Sequence, residues 1–206
     1  MLWLLPARNK KHVITVPYGY LLSPAGGTKQ VTDTYKRFGV DNDAYSGKFS
    51  RDKFLRLLDK MMPHKDRCLF VNPPDVVGDA VKTTINYHDW YAEIRGRGLP
   101  ISYILQDGFD MQLPKLKADC LFVGGSTEFK LSNSVLRLLQ VVKPDYWIHI
   151  GRVNTLNRLL HFRHVADSFD GTQIYRFRPD EGVNLMKNWL GFISQQQEFS
   201  LTGEGR

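Results

Sequence analysis

The stretch Asp119-Cys-Leu-Phe-Val-Gly-Gly-Ser-Thr127 decides the fold. Its apolar centre, Cys120–Val123, runs without alternation. A strand with one wet face alternates apolar and polar side chains, whereas an unbroken apolar run is buried on both faces, as in a parallel sheet. The Gly124–Gly125 pair then turns the chain tightly. Beyond it, Leu131 to Val142 carries Val135, Leu138, Leu139 and Val142 at helical spacing. Strand, turn and helix in that order make the repeating unit of an α/β protein.

The same order recurs on both sides. Strands are expected at Cys68–Val71, Ile101–Leu105, Tyr146–Ile150 and Ala166–Phe169, each ending in a Gly, Pro or polar residue. Val13–Val16 and Phe38–Val40 are further strand candidates, and the Pro- and Gly-rich segment between them reads as a long loop. Ser50 is the expected N-cap of a helix through Met62, with Phe54, Leu55, Leu58 and Met61 on one face. A second helix spans Gly78 to Arg95 with Val81, Ile85, Trp90 and Ile94. Asn154 caps a short helix carrying Leu156, Leu159 and Leu160, and a last helix covers Glu181 to Gln195. Ser200 to Arg206 reads as a frayed tail. No repeat, low-complexity block or linker divides the chain. The expectation is one domain of βα units over 1–206, either a closed barrel or an open doubly wound sheet. Seven or eight strands at about 25 to 30 residues per unit favour a compact (β/α)8 TIM-like barrel, reduced or irregular in places.

At 206 residues the chain suffices for one well-buried core. A hydrophobic fraction of 42% and an aromatic fraction of 12% fit an ordinary globular protein. The early apolar run Leu2 to Leu5 stops at Pro6 and lacks the apolar region of a secretory signal. No membrane association is expected, and the expected location is cytoplasmic (the host cytoplasm for a phage-encoded protein). Lys and Arg outnumber Asp and Glu by 28 to 21, a net charge of +7 and a pI near 9.4, which raises the expectation of a polyanionic partner. Cys68 and Cys120 sit inside apolar strands and read as buried thiols. A cysteine-based zinc site needs more of them at closer spacing, so no metal and no cofactor are expected.

The residues just beyond each strand carry the functional information. Asp41 comes after Phe38–Val40, Asp75 after Cys68–Val71, Gln106 and Asp107 after Ile101–Leu105, and Gly124–Gly125 after Cys120–Val123. Arg152 and Asp170 come after the last two strands. In a parallel barrel those ends share one face, which holds the active site. Loops are polar in every protein, but three aspartates, an amide and a glycine pair are more than loop polarity requires. Gly124–Gly125 fits neither a P-loop nor Gly-x-Gly-x-x-Gly and reads as a generic cradle for an anion or carbonyl. His149 reads as a core or pocket-wall histidine rather than a base. Arg152, Arg158 and Arg163, with His161 and His164, form a basic stretch read either as a solvated helix surface or as a phosphate contact.

Together, Val40-Asp-Asn-Asp-Ala-Tyr-Ser46, Pro74-Asp75, Leu105-Gln-Asp-Gly108, Phe122-Val-Gly-Gly-Ser-Thr127 and Ala166-Asp-Ser-Phe-Asp-Gly171 resemble the tRNA-guanine transglycosylase superfamily. The nearest likeness is to its phage and bacterial DNA-modifying branch, the DpdA-type DNA-guanine transglycosylases. The resemblance implies a TIM-like barrel that exchanges guanine in DNA for a 7-deazaguanine such as preQ0, with DNA as partner rather than tRNA. It further implies that Asp170 is the nucleophile, that Asp41 is a general acid/base, and that Asp75 reads the N–H edge of the purine. Gln106 and Gly124–Gly125 match positions that hydrogen-bond the carbonyl of the base.

Base exchange with retained configuration at C1′ is a double displacement, which requires a nucleophilic carboxylate and a second group to move the proton. The chain departs from the tRNA enzymes in three ways. No cysteine follows Cys120, so no zinc subdomain is expected; Asn-Asp-Ala-Tyr replaces Ser-Gly-Gly after Asp41; and no appended RNA-binding domain is expected. The second departure makes Asp43 a rival to Asp41. A tRNA-acting enzyme, a small-molecule nucleoside or phosphosugar enzyme, and an idle nucleic-acid-binding barrel stand as alternatives.

Overall fold

A computed structural model describes residues 1–7, 16–171 and 179–202, with side chains of the final helix described over 181–193. Eight parallel strands form one sheet: β1 Leu2–Pro6, β2 Tyr18–Leu22, β3 Phe38–Val40, β4 Cys68–Val71, β5 Ser102–Leu105, β6 Cys120–Val123, β7 Trp147–Ile150 and β8 Ser168–Asp170. Their spatial order is β4-β3-β2-β1-β8-β7-β6-β5. The two ends of that row meet at a parallel bridge between Val71 and Ile101. The seam is reinforced by Ser102, whose Oγ–H donates to Asn72 Oδ1 at 2.6 Å. The result is an α/β, nearly closed (β/α)8 TIM-like barrel. No helix among the described residues is long and apolar enough to cross a membrane.

The helices are α1 Lys29–Thr32, α2 Arg51–Met61, α3 Ala80–Arg95, α4 Thr127–Lys130, α5 Asn133–Val142, α6 Leu156–His161 and α7 Pro179–Thr202. Their caps differ from expectation in detail. Ser50 occupies the N-cap of α2 without a side-chain cap bond. Thr155, not Asn154, caps α6 by accepting from the Arg158 N–H, and Asp79 caps α3 by accepting from the Lys82 N–H. The buried face of α3 is also corrected: Ala80, Thr83, Tyr87, Trp90 and Ile94 point inward, while Val81 and Ile85 face solvent. Tyr87 and Thr83 can cover the core because their hydroxyls find partners, Leu116 O for Tyr87 and Val76 O for Thr83.

Two strands hid in the sequence. The run Leu2–Pro6 is β1, and the expected long loop between Val16 and Phe38 contains β2 and α1. The expected strand Val13–Val16 lies outside the described residues except Val16, which is a bend. β2 escapes a propensity reading because Gly19 interrupts it and Pro17 precedes it. The barrel requires that glycine: a Cβ there would lie 2.4 Å from Arg37 O and 2.9 Å from Leu4 Cδ2.

Inside the barrel the fill is aromatic. Phe70 and Phe122 flank the His149 imidazole, each with its ring centroid 4.8 Å away. Gly39 is required to make room, since a Cβ there would sit 2.5 Å from Phe70 Cζ. Leu4, Phe70 and Cys120 form a small buried apolar cluster of their own. The larger core lies between barrel and helices and includes Trp3, Phe54, Ile94, Leu139 and Phe169. Cys120 is buried and Cys68 half-buried, both unpaired on strands, and burial pushes both thiols well up.

Candidate functional site

Every strand is parallel, so every C-terminal end opens on one face. There, a cavity of about 260 Å³ is lined from all sides of the barrel, including Asp41, Asp75, Gln106, Gly124, Gly125 and Asp170. Of the strand-end residues singled out from the sequence, all but Asp107 therefore share one pocket. Pockets that hold drug-sized ligands run to about 300–1,000 Å³, so this one has room for a single small group.

One wall comes from β3, β4 and β5. Asp75 accepts two amide N–H groups, from Asn42 Nδ2 at 3.0 Å on Oδ1 and from Gln106 Nε2 at 2.6 Å on Oδ2. The amides cannot be reversed. Gly78 N–H donates to Gln106 Oε1 at 3.2 Å, and Ala44 N–H donates to Asn42 Oδ1 at 2.6 Å, so both side-chain nitrogens face the carboxylate. Burial nevertheless raises the Asp75 carboxyl above its ordinary value, with the two amides opposing. Asp41 stands beside it, bonded to its neighbour's Asn42 N–H at 2.9 Å. Burial, with Asp170 and Asp75 nearby, pushes Asp41 up to about 7. Such a group both donates and accepts a proton near neutrality.

The opposite wall comes from β7 and β8. Asp170 Oδ1 accepts the Arg152 backbone N–H at 3.0 Å, and Oδ2 lies 3.0 Å from His149 Nε2. Behind it runs a buried chain. The Trp147 indole, which can only donate, bonds Ser168 Oγ at 2.8 Å, and Ser168 Oγ lies 2.8 Å from His149 Nδ1. A carboxylate oxygen only accepts, so a neutral His149 carries its proton on Nε2 facing Asp170 and takes the Ser168 hydroxyl hydrogen at Nδ1. Burial lowers the His149 pKa, so the imidazole is a neutral donor and not a cation. Arg152 adopts a left-handed backbone, φ 57°, a conformation that costs a non-glycine residue about 1–3 kcal/mol and is held by its surroundings. Here its N–H is tied to Asp170 and its carbonyl to Arg158 Nη1 at 3.1 Å.

Between the walls lies the glycine turn. Gly125 has φ 74°, and a Cβ would fall 2.6 Å from Asp107 Oδ2. Asp107 holds the turn by accepting the Ser126 N–H at 2.7 Å. The Gly125 N–H makes no hydrogen bond among the described residues. Lys130, buried at the end of α4, donates to Gly151 O at 2.7 Å, and burial lowers its ammonium to about 8.

At the rim, Tyr45 is 65% exposed and its ring lies 4.2 Å from the Arg152 guanidinium carbon. Asp43 is also at the rim, where its Oδ2 accepts the Ala25 N–H at 2.8 Å. Of the three arginines, Arg152 alone lines the pocket. Its guanidinium bonds Gly125 O, that of Arg158 bonds Arg152 O and Thr127 Oγ1, and that of Arg163 bonds Leu160 O. These arginines brace loops. Among the described residues no three His, Cys, Asp or Glu side chains converge as a metal site.

Sequence reading passed over Asn42, Asn72, Lys130 and Tyr45. Asn42 and Asn72 carried a signal, as each lies within two residues of a strand end. Lys130 and Tyr45 carried none, because only the fold brings them to the mouth. No protein-family model and no curated protein matches this chain.

Proposed function

We propose that this protein exchanges guanine in DNA for a 7-deazaguanine, as a transglycosylase working through a covalent ester between Asp170 and C1′ of the sugar. The observation that carries the reading is the convergence of Asp41, Asp75 and Asp170, from three different strands, on one cavity sized for a single base. It joins the resemblance in the segments around those residues.

The target base must leave the stack to reach this cavity. Asp75, with its plane locked by Asn42 and Gln106, keeps a free lone pair on each oxygen for the ring N–H and amino group of guanine. The second Gln106 amide hydrogen and the Gly125 N–H are donors for the carbonyl oxygen of the base. Asp170 attacks C1′ as the C1′–N bond breaks, the bonding pair leaves with guanine, and protonated Asp41 supplies a proton to the departing purine. Ionised Asp41 then takes the proton of the incoming deazapurine as its nitrogen attacks C1′ and the ester bond to Asp170 breaks. A group poised at about 7 serves both half-reactions, as the acid/base residue of a retaining glycosidase does.

The test incubates the folded protein with a guanine-containing oligodeoxynucleotide and labelled preQ0. Label enters the DNA, a denaturation-resistant protein–DNA adduct forms in the absence of preQ0, and Asp170→Asn abolishes both. Wild-type protein that labels neither DNA nor tRNA and forms no adduct overturns the reading, and label in tRNA alone moves it to the tRNA branch.

A further inference from the structure

The cavity of the three carboxylates does not end at its rim. Pro6, Leu21, Ser23 and Asp43 also line an adjoining depression that continues to Ser46 and Lys48. That depression shares Ser23, Gly26 and Gly27 with a third, whose far side is the α2 face bearing Lys53, Arg56 and Lys60. These adjoining depressions make up a groove from the pocket mouth to the space between the loop after β2 and helix α2.

Its charge is one-sided. Lys48, Lys53, Arg56 and Lys60 are exposed, and none of their side chains makes an ion pair or hydrogen bond among the described residues. The one carboxylate lining the groove, Asp43, is tied to the Ala25 N–H. Positions 53, 56 and 60 recur at helical spacing and share a face. The seven steps from Lys53 to Lys60 rise about 10 Å, close to the axial rise of about three stacked nucleotides. At the junction of groove and pocket stands the exposed ring of Tyr45, a stacking surface for a base outside the cavity. The arginines beyond β7, by contrast, are engaged with main-chain carbonyls.

We infer that single-stranded DNA enters along this groove, its phosphates held by Lys48, Lys53, Arg56 and Lys60 and its bases passing Tyr45 into the carboxylate pocket. The inference rests on reading that pocket as a site for a base in a nucleic-acid strand. It adds a strand path remote from the catalytic aspartates.

Binding of a fluorescent 20-nucleotide single-stranded DNA, followed by anisotropy between 50 and 200 mM salt without any deazaguanine, tests the path separately from the chemistry. The fourfold variant Lys48→Ala, Lys53→Ala, Arg56→Ala, Lys60→Ala is expected to bind about 10- to 100-fold more weakly. Its log–log salt slope should be shallower by up to about 3, at about 0.7 per lost phosphate contact. A control removing Lys65, Arg137, Lys115 and Lys187, none of which lines the groove, keeps the wild-type slope. Equal losses in both variants, or none in the first, overturn the path. Tenfold tighter binding of an RNA of the same length overturns the assignment to DNA. A fourfold variant that loses binding while wild type shows no base exchange leaves the path standing and removes the transglycosylase reading.

Discussion

The two ends of the barrel use the same side chain in opposite ways. At the N-terminal end, Asp119 and Asp167 each precede a strand and are paired with a cation. Asp119 meets Arg95 at 2.8 Å, and Asp167 meets Lys143. Each also accepts a backbone N–H at the start of a neighbouring strand, from Ile101 just before β5 and from Ile148 of β7, both at 2.8 Å. At the C-terminal end, Asp41, Asp75 and Asp170 have no Lys or Arg ion pair among the described residues. Amides, a neutral imidazole and backbone N–H groups hold them instead. A cation would neutralise a carboxylate and turn it from incoming chemistry, whereas neutral donors orient it and leave its charge available. In (β/α)8 enzymes the lower end serves stability and the upper end holds the active site.

Four experiments set the ends against each other. Asp170→Asn is expected to have the largest effect, a loss of base exchange on the order of 10³-fold or more, since a group acting as nucleophile has no substitute. Its thermal unfolding, followed by circular dichroism, shifts little. A variant that retains a tenth of wild-type exchange would end the nucleophile assignment.

His149→Phe comes next. The ring keeps its place between Phe70 and Phe122 but loses the bond to Asp170. A hydrogen bond to a charged group contributes about 1.5–3 kcal/mol, so exchange should slow by about 10- to 150-fold. The readout of a positioning role is a fall in kcat with KM nearly constant, because His149 acts through Asp170. A change confined to KM breaks that account.

Asp119→Ala inverts the pattern. Losing a half-exposed ion pair and an acceptor for a strand N–H should cost about 1–2 kcal/mol, or about 2–8 °C in Tm, with exchange at 25 °C unchanged. Loss of exchange in a folded Asp119→Ala protein would dissolve the division between the ends.

The fourth effect is a pH dependence. Asp41 has a folded pKa of about 7 against an ordinary 3.8, so the folded state binds its proton more tightly than the unfolded chain. That contribution to stability is fully present below pH 3.8 and is lost as pH rises through about 7. Asp41→Asn does not titrate. Its Tm relative to wild type should rise from about pH 4 to about pH 7 and level off above. A Tm difference independent of pH contradicts the burial of Asp41.

Much of the architecture was legible in the chain. The unbroken run Cys120–Val123 and its counterparts announced parallel strands, and strand-end polarity announced that Asp41, Asp75, Gln106, Gly124, Gly125 and Asp170 would share a face. β1 and β2 were not legible. Leu2–Pro6 resembles any apolar terminus, and Gly19 argues against a strand until Arg37 O and Leu4 are seen pressing on it. Nor was the inward face of α3, because Tyr87 and Thr83 are buried through hydroxyl partners supplied by loops outside the helix.

The sequence by itself determined the α/β class, the parallel sheet and the set of strand-end side chains, because hydrophobic period and turn residues are local properties of the chain. Only the tertiary structure decided what those side chains are held by. That His149 presents Nε2–H to Asp170, that two amides lock Asp75, and that Asp41 rises to about 7 depend on burial and on partners 19 to 33 residues away. Hydrogen-bond direction and desolvation are set by the assembled surroundings, which no local stretch of sequence contains.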